Sequence, residues 1–523
     1  MDVSESGNKN KIFPFHNVSG LEGVYIAGLR PAWIFILRDH VFEHYQAIRG
    51  GKSFLERSCF AEFHSQSCND GFIGFDEGKM EICQLPDPSS CHYDSNFLVR
   101  RHQLKNTVRF ISFHAPTGTF SLVSIKKTET FSWDDEDVER ALKVHNDVYS
   151  LTLHLGGSFL QTDSFEKNIL ENEVILCMKT VKLLDFSPRR SGIHDLIVVG
   201  TSNYEGEDVL CRGRVLLLEP YDSTPSDSSG AGMRYKIVCD QKEKGLVTAA
   251  EAVLGVLCVS IGPRVIVYKW ENEKLTGCAF FDAQLYISSI STVRNFVILA
   301  DAVKGVNFLF WDPETRQLVP LGKDSERQLI SSTHFLVNSP ELNLVVCDMH
   351  GNIQLMTYSP ERPESRGGEK LLPRADFNVG SPITRFFPLK KRSMQNVSSG
   401  PEFSWQSESD HSKYCLVSST SDGCVGFLSC LDQMVYRRLH SLHAQLTFQL
   451  AHYGGMNPRS FRAYKSSDPR KQGQARNIVD LKLLHQFLSL DLLQQKSLAK
   501  NIGTTADNIV TNLLELDLQM RLY

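Results

Sequence analysis

The sequence has 523 residues, of which 41% are hydrophobic and 22% are charged, and its formal net charge is -4. These values are typical of a folded globular protein and exclude a collagen-like, coiled-coil or largely disordered chain. A charge this close to neutral also excludes a general electrostatic attraction to nucleic acid. Any RNA contact would therefore need a local basic patch.

The cysteines and the N-terminus indicate the compartment. The 13 cysteines include no C-x-x-C pair and no zinc-finger spacing, and several lie in apolar strand-like runs, which favours a reducing compartment. The first residues, MDVSESGNKNK, are polar and unlike a signal peptide, and we expect residues 1–19 to form a disordered tail. The longest apolar stretch, around residues 253–261, is much shorter than the roughly 20 residues of a membrane span, so we expect no membrane partner.

A repeated strand–turn–strand unit fills residues 20–435. Its members share an apolar β-branched run, a tight turn and a second such run, as in residues 195–219, 255–270, 295–312, 342–358 and 413–430. The unit recurs roughly every 40 to 70 residues, which is typical of propeller blades with loop insertions. We predict a mainly β fold, with a β-propeller of the seven-bladed type, complete or incomplete, followed by a small all-α domain. The alternative is one or two β-sandwiches, but one sandwich holds only about seven strands.

Four polar loops interrupt this pattern. Three are rich in Ser, Pro or Gly, at residues 221–232, 359–368 and 393–412, and the fourth is the acidic run at residues 134–139. Such composition buries little apolar surface, so we predict no ordered structure in these loops.

After residue 430 the apolar spacing becomes helical. Leu439, Leu442, Leu446 and Leu450 recur at helical spacing, and the segment at residues 477–490 has the same pattern. A helix over residues 491–502 is predicted to end at Gly503 as its C-cap, and residues 504–507 resemble a capping box that opens the last helix. We predict a small all-α domain over residues 436–523, packed on the propeller because short helices need tertiary contacts.

A basic stretch between these helices is the candidate contact site. It contains a single acidic residue, Asp468, and six basic ones: Arg459, Arg462, Lys465, Arg470, Lys471 and Arg476. The stretch could contact the phosphates of RNA or an acidic protein surface. The overall acidity of the chain favours protein docking. A second basic cluster, PLKKR at residues 388–392, is short, so a charged loop end is favoured over a nuclear localisation signal.

One motif suggests metal chemistry. His40, Glu43 and His44 match H-x-x-E-H, the inverted zinc-protease motif, which must lie on a helix. Here it follows the strand-like WIFILRD, and in a strand the two histidines lie about 13 Å apart, too far to share one metal. A metallopeptidase is therefore only an alternative hypothesis. Since no phosphate-binding loop, G-x-G-x-x-G or G-x-S-x-G occurs either, we expect no catalytic residue, no cofactor and no metal, and hence no enzyme.

Several stretches carry a resemblance to a known family. They are VILCMKTVKL (174–183), CRGRVLLLE (211–219), LTGCAFFDAQLYI (275–287), NFVILAD (295–301), RADFNVGS (374–381), YRRLHSL (436–442), GMNPRSFR (455–462), ARNIVD (475–480) and IGTT (502–505). Together they resemble the C-terminal portion of the CPSF A and damaged-DNA-binding large-subunit family. That family contains a subunit of the cleavage and polyadenylation specificity factor and one of splicing factor 3b. The G-x-N-P-R-x-F-R and A-x-x-I-G-T-T patterns are typical of the polyadenylation member.

The resemblance implies a fold and a function. It implies that this chain holds the third of three propellers and the helical domain, without the first two propellers. It also implies a nuclear, non-catalytic scaffold of the pre-mRNA 3′-end cleavage and polyadenylation complex that supports recognition of AAUAAA. Its implied partners are WD-repeat and zinc-finger subunits and pre-mRNA, bound directly or through them, and poly(A) polymerase stays open as a further partner. The alternatives are an adaptor of the damaged-DNA-binding or splicing factor 3b type, and direct RNA binding through the basic stretch.

Overall fold

The computed structural model describes residues 11–18, 21–27, 32–36, 42–46, 59–64, 71–76, 79–84, 102, 104, 106–127, 147–156, 161–164, 173–187, 192–203, 210–223, 232–283, 285–324, 329–338, 341–390, 414–450, 457–466 and 473–520. The chain divides into two compact units: an N-terminal unit, Met1–Lys105, and a main unit, Asn106–Leu522.

The N-terminal unit contains two antiparallel sheets. The first is β1 (Lys11–Val18), β2 (Leu21–Ala27), β3 (Ala32–Ile36) and β4 (Phe42–Gln46), and the second is β5 (Cys59–Phe63), β6 (Gly71–Asp76) and β7 (Lys79–Gln84). Phe15 and Phe72 are buried, and their rings meet edge to face with centroids 5.6 Å apart. This aromatic contact joins the two sheets, because Phe15 lies in β1 and Phe72 lies in β6.

The described part of the main unit contains six successive antiparallel groups of strands, which we call blades 1 to 6. Blade 1 contains β8 (Thr107–His114), β9 (Thr119–Lys127), β10 (Asp147–Leu155) and β11 (Gln161–Ser164). Blade 2 contains β12 (Glu173–Asp185), β13 (Gly192–Asn203), β14 (Gly213–Ser223) and β15 (Gly232–Glu243). Blade 3 contains β16 (Val247–Val253), β17 (Val256–Ile261), β18 (Arg264–Glu271) and β19 (Lys274–Asp282). Blade 4 contains β20 (Ile287–Val293), β21 (Phe296–Asp301), β22 (Gly305–Asp312) and β23 (Gln317–Asp324). Blade 5 contains β24 (Ile330–Asn338), β25 (Glu341–Asp348), β26 (Asn352–Thr357) and β27 (Leu372–Asn378). Blade 6 contains β28 (Ile383–Lys390), β29 (Tyr414–Thr420) and β30 (Val425–Ser429). Blades 2 and 3 are also joined by one parallel pair, Asp185 with Trp270.

The tight turns inside the blades have a simple chemical basis. The buried carboxylate of Asp301 ends β21 and accepts hydrogen bonds from the backbone N–H groups of Val303 (2.9 Å), Lys304 (3.0 Å) and Leu285 (3.0 Å). Gly305 then begins β22 with a φ of 92°, a conformation that costs glycine little. The turn after β25 of blade 5 has the same arrangement, because the carboxylate of Asp348 at the end of that strand also accepts hydrogen bonds from backbone N–H groups of the turn. The predicted strand–turn–strand units are therefore confirmed in these two blades.

Side-chain contacts join the first strands of neighbouring blades, and we call these contacts the inner belt. They are Ser112 Oγ–Thr180 Oγ1 (2.7 Å), Lys179 Nζ–Glu251 Oε2, Thr292 Oγ1–Ala252 O (2.6 Å), Ser291 Oγ–Thr333 O (2.6 Å), Ser332 Oγ–Ile383 O (2.8 Å) and Arg385 Nη1–Ile111 O (3.3 Å). The last contact leads from blade 6 back to blade 1, so the first strands surround a common axis, as in a β-propeller. The predicted mainly β fold is confirmed, whereas the count of seven blades stays a prediction.

The core of the main unit lies between the blades. A separate apolar cluster fills each space from blades 1–2 to blades 5–6. Trp311 is buried between blades 3 and 4, and Phe308 meets Phe335 edge to face between blades 4 and 5, with ring centroids 6.2 Å apart. Burial of one such side chain contributes about 1.5–3 kcal/mol, so these clusters hold neighbouring blades together.

The helices of the main unit follow blade 6. They are α1 (Gln433–Gln449), α2 (Pro458–Phe461), α3 (Leu481–His485) with a 3-10 turn over Gln486–Ser489, α4 (Leu492–Ile502) and α5 (Ala506–Met520). Leu439, Leu442 and Leu446 of α1 are fully buried in one apolar cluster with α3, α4 and α5. Gly503 has a φ of 81° and caps α4, as predicted. Among the described helices, none has both the length and the apolar character needed to cross a membrane.

The domain boundaries differ from those predicted. Residues 11–18 lie in the predicted N-terminal tail but form β1, because consecutive residues pair with β2 from Lys11↔Ala27 to Phe15↔Gly23. The single propeller predicted over residues 20–435 is divided at Lys105/Asn106. Strand periodicity predicts strands but not their partners, and β1–β7 pair only with one another among the described strands. The helical part begins at Gln433, three residues before the predicted position 436.

One predicted disordered loop is ordered. Residues 359–368 contain a 3-10 helix over Pro363–Ser365, and Ser365 is fully buried. The backbone oxygen of Ser365 accepts a hydrogen bond from Lys370 N (2.9 Å), and Lys323 N of β23 donates to Glu369 O (2.8 Å). The loop therefore continues the hydrogen bonding of blade 4, a tertiary effect that composition does not reveal. Residues 134–139, 224–231 and 393–412 lie outside the described residues.

Candidate interaction surface

The described part of the basic stretch packs against blade 5. We call residues 457–466 and 473–477 the clasp. The clasp begins with α2, where Pro458 occupies the first turn and the Asn457 side chain accepts a hydrogen bond from Arg459 N (2.9 Å). Both features favour a helix start. Proline has no N–H group that would lack a partner in the first turn, and the asparagine side chain accepts a hydrogen bond from one of the first-turn N–H groups.

Arg462 fastens the clasp to the end of β27. Its Nε donates to Asp480 Oδ2 (2.9 Å), and its Nη1 donates to Val379 O (3.0 Å) and Asn378 O (3.3 Å). Its guanidinium also lies 5.1 Å from the ring centroid of Phe377. A guanidinium suits this position because its planar fork can serve several acceptors at once.

The backbone of Lys465 is held by a buried asparagine. Asn352 is 1% exposed, and its side chain accepts from Lys465 N (2.9 Å) and donates to Lys465 O (2.6 Å). The same amide nitrogen donates to Asp348 Oδ2 (2.6 Å), and Asn378 Nδ2 donates to Asn352 Oδ1 (2.9 Å). Buried polar groups of this kind are stable only when they are paired, so the clasp completes a network inside blade 5. The side chain of Lys465 itself is exposed.

Arg476 forms the second attachment. Its backbone N–H and C=O exchange hydrogen bonds with Asp376 of β27 (2.9 and 3.0 Å), and its Nε donates to Asp376 Oδ2 (2.6 Å). The Asp376 carboxylate is buried, whereas the Arg476 side chain is 65% exposed. Asn477 follows in the left-handed conformation and donates to Arg374 O (2.7 Å). The clasp thus adds a short strand-like bridge to the outer edge of blade 5.

Arg459 forms an exposed aromatic–cationic pair. Its guanidinium lies 5.6 Å from the ring centroid of Phe448, whose side chain is 72% exposed, and its Nη2 donates to Gln474 Oε1 (2.9 Å). Phe461 beside it is 39% exposed. A cation over an exposed phenyl ring is a surface suited to stacking and to anionic groups.

The predicted contact residues therefore have different roles. Arg462 and Arg476 bind carboxylates of the same chain, and Arg459 and Lys465 have exposed side chains. Arg470 and Lys471 lie outside the described residues. The sequence interpretation missed the acceptors on blade 5, namely Asp376, Asn378 and Asn352. These residues could have been found as polar residues inside the otherwise strand-like runs RADFNVG and GNIQL, where a polar side chain needs a hydrogen-bond partner.

The other sequence motifs show no site in the described part of the chain. Glu43 and His44 lie in β4, paired opposite Phe35 and Ile34, so this part of H-x-x-E-H is a strand as predicted. His40 lies outside the described residues, and no group of three or more metal-binding side chains occurs within them. In the PLKKR cluster, residues 388–390 belong to β28, and residues 391–392 are not described.

Two family models match the chain. The model described as CPSF A subunit region matches residues 158–489, which include blades 2 to 6, α1, α2 and α3. The model described as RSE1/DDB1/CPSF1 second beta-propeller matches residues 4–85, within the N-terminal unit. The chain was expected to hold only the third propeller, and the second match corrects that expectation, in agreement with the division at Lys105/Asn106.

Curated proteins with similar sequences agree with these matches. The probable cleavage and polyadenylation specificity factor subunit 1 of Oryza sativa subsp. japonica is 32% identical over 97% of this chain and 35% of its own length. The cleavage and polyadenylation specificity factor subunit 1 of Arabidopsis thaliana is 32% identical over 98% of this chain and 35% of its own length. Protein cft1 of Schizosaccharomyces pombe is 29% identical over 98% of this chain and 35% of its own length. The chain thus spans about a third of the length of these relatives.

Proposed function

We propose a function from the premise that this chain belongs to the CPSF A subunit family, whose model matches residues 158–489. This membership confirms the predicted resemblance to the C-terminal portion of cleavage and polyadenylation specificity factor subunit 1. The proposed function is that of a non-catalytic scaffold in the nuclear pre-mRNA cleavage and polyadenylation complex. The observation that carries the proposal is the similarity to specificity factor subunits over 97% of the chain.

The geometry supports a scaffold because it fixes many surfaces in one rigid frame. Apolar clusters join consecutive blades, the inner belt joins their first strands, and the clasp attaches the helical part to blade 5 through Arg462 and Asn352. These clasp contacts are partly buried polar ones, which depend strongly on geometry. A partner bound to the helices is therefore held at a fixed position relative to blade 5.

The proposed partners are the other subunits of the specificity factor, of the WD-repeat and zinc-finger types, with poly(A) polymerase as a further candidate. The test is co-purification from nuclear extract with the tagged full chain, followed by capture of RNA that contains AAUAAA or a scrambled hexamer. We expect these subunits to co-purify and the AAUAAA RNA to be enriched only in their presence. Recovery of damaged-DNA-binding or splicing factor 3b components instead would favour the adaptor alternative, and recovery of neither group would refute the scaffold.

A second candidate function is direct contact with single-stranded RNA. The exposed pair of Arg459 and Phe448 favours it, because nucleobases stack on exposed aromatic rings and arginines bind phosphates. Arg264 and Phe280 of blade 3 form a similar exposed pair, with the guanidinium 5.8 Å from the ring centroid, and serve as the matched control. We expect Phe448→Ala with Arg459→Ala to weaken RNA binding by about tenfold or more, whereas the control pair of changes has no effect. Equal losses in both variants would refute a specific contact.

The blade count is part of the proposal. We infer that the propeller is of the seven-bladed type, with a seventh blade formed by residues outside the described part, and that the long Arg385 side chain spans the gap between blades 6 and 1 near the axis. An experimental structure of the assembled complex tests this directly, since a ring of six blades would contradict it.

A further inference from the structure

Ionisable side chains from four different blades lie on the first strands, at the level of the inner belt. They are Lys179 of β12, Glu251 of β16, His334 of β24 and Arg385 of β28. Lys179 and Arg385 help to lower the pKa of the buried His334, and Glu251 opposes them, so the four groups are close enough to influence one another. The belt hydrogen bonds from Ser291 to Thr333 and from Ser332 to Ile383 put these residues at the same height on neighbouring strands. The centre of the main unit is therefore polar and charged.

The positive charge of this cluster exceeds the negative charge. Lys179 Nζ contacts Glu251 Oε2, and Glu251 Oε1 accepts from Ala252 N (3.1 Å), so both carboxylate oxygens are used. Arg385 forms no ion pair with a carboxylate among the residues that the structure describes. Its guanidinium donates through Nη1 to Ile111 O at 3.3 Å, which uses only one of its five N–H groups. Apart from the ring of Phe387, 5.7 Å from the guanidinium, this positive charge has no compensating partner among the described residues.

The surroundings make that charge costly. Arg385 is partly buried, and burial lowers the pKa of its guanidinium despite the favourable interaction with Glu251. Charged groups removed from water are normally paired, since an unpaired one loses its hydration without compensation. The neighbouring His334 Nδ1 lies 2.9 Å from Phe335 O, which directs the N–H of a neutral imidazole to that oxygen. Burial lowers the pKa of His334, which favours the neutral ring, so its Nε2 is not a hydrogen-bond donor.

We propose that the axis of the main unit binds a small oxyanion of the phosphate class, held by Arg385 and Lys179. The planar fork of a guanidinium matches two oxygens of such an anion. A small anion fits better than a nucleic acid or a peptide, because side chains of adjacent first strands reach each other directly around the belt. This site is separate from the clasp, and the inference does not depend on the proposed function.

The test is calorimetric titration of the full 523-residue chain with inorganic phosphate, pyrophosphate and acetate at constant ionic strength. We expect one phosphate-class anion to bind per chain, with weaker binding of acetate. Arg385→Gln should weaken phosphate binding by about tenfold or more, because it removes a charge-assisted hydrogen-bond donor. Arg264→Gln is the matched control, since Arg264 is an exposed arginine already paired with Asp282 at 2.8 Å.

The titration distinguishes a specific anion site from nonspecific binding. Phosphate binding that is lost in Arg385→Gln and kept in Arg264→Gln supports the site. No phosphate binding to the unchanged chain, equal binding of acetate, or equal losses in both variants would overturn it. Should Arg385→Gln fail to fold, Arg385→Lys keeps the charge but loses the planar fork. It should then bind pyrophosphate more weakly than the unchanged chain does, and an unchanged affinity would overturn the role of the fork.

Discussion

Arg462 is the residue whose removal tests the clasp most directly. Changing Arg462 to Ala removes three hydrogen bonds, to Asp480, Val379 and Asn378, and leaves the Asp480 carboxylate without its cation. Loss of one partner of a buried ion pair costs about 3–5 kcal/mol. The Arg462 and Asp480 side chains keep 21% and 11% exposure, so solvent offsets part of the loss and we expect about 2–4 kcal/mol.

The loss of stability should appear first as local opening of the clasp, before the whole main unit unfolds. Native-state hydrogen exchange measures the opening free energy of single amides, and two of them report on the clasp. Lys465 N is bonded to Asn352, and Asn378 N is bonded to Arg462 O (3.1 Å). In Arg462→Ala both amides should exchange faster, by the factor that corresponds to about 2–4 kcal/mol, whereas amides of blade 3 should not change.

Arg459→Ala is the matched control, because Arg459 lies in the same helical turn, has an exposed side chain and binds no carboxylate of the clasp. A change of an exposed residue of this kind is worth within about 0.5 kcal/mol. Arg462→Lys should lie between the two, since it keeps the charge but loses the planar fork. If Arg462→Ala and Arg459→Ala have the same opening free energies, the clasp does not depend on the arginine contacts and the reasoning is wrong.

Three further predictions concern polar contacts in the main unit. Arg214→Met should lower the free energy of unfolding by about 3–5 kcal/mol in urea titrations, because the Glu173 side chain is 1% exposed and accepts from Arg214 Nε at 2.8 Å; a loss no larger than that of an exposed variant would contradict this. Asp301→Ala should cost about 2–3 kcal/mol in the same titration, since three N–H groups lose their acceptor, and an unchanged midpoint would count against the turn device. His485 Nε2 lies 3.0 Å from Asp517 Oδ1, and this contact raises the pKa of His485. Its stabilisation is therefore complete below the unfolded pKa and is lost as pH rises through the folded value; thermal melts of His485→Gln should lack this pH dependence, and an identical pH profile would refute the pair.

Local patterns predicted local structure well. NFVILAD and LNLVVCD each end in an Asp before a turn with Gly, and the strands and positive-φ glycines occur as predicted. Gly503 ends α4 for the same reason, because it lacks a side chain that would clash in the left-handed conformation. These features depend on a few neighbouring residues, so one sequence is enough to reveal them.

Long-range pairing could not be predicted in the same way. The loop at residues 359–368 is ordered by local hydrogen bonds of Ser365 and by the pairing of Glu369 and Leu371 with Lys323 of β23, although its composition is that of a flexible loop. The division at Lys105/Asn106 follows from which strands pair, and the alternating pattern is the same on both sides of it. For the basic stretch, contact with RNA or a partner protein stays a prediction, and the structure shows that Arg462 and Arg476 already bind the carboxylates of Asp480 and Asp376 of the same chain.

Blade 5 connects the two polar features of the main unit. Its first strand carries His334 of the inner belt, and its later strands carry Asn352 and Asp376, which hold the clasp. Apolar clusters on both sides fix this blade against blades 4 and 6. Because packed elements of this kind move as units rather than deform continuously, a partner that displaces the clasp also removes acceptors and donors from a buried network of blade 5. Binding at the helices is therefore coupled to the stability of this blade, and the amide of Lys465 is the position at which that coupling can be measured.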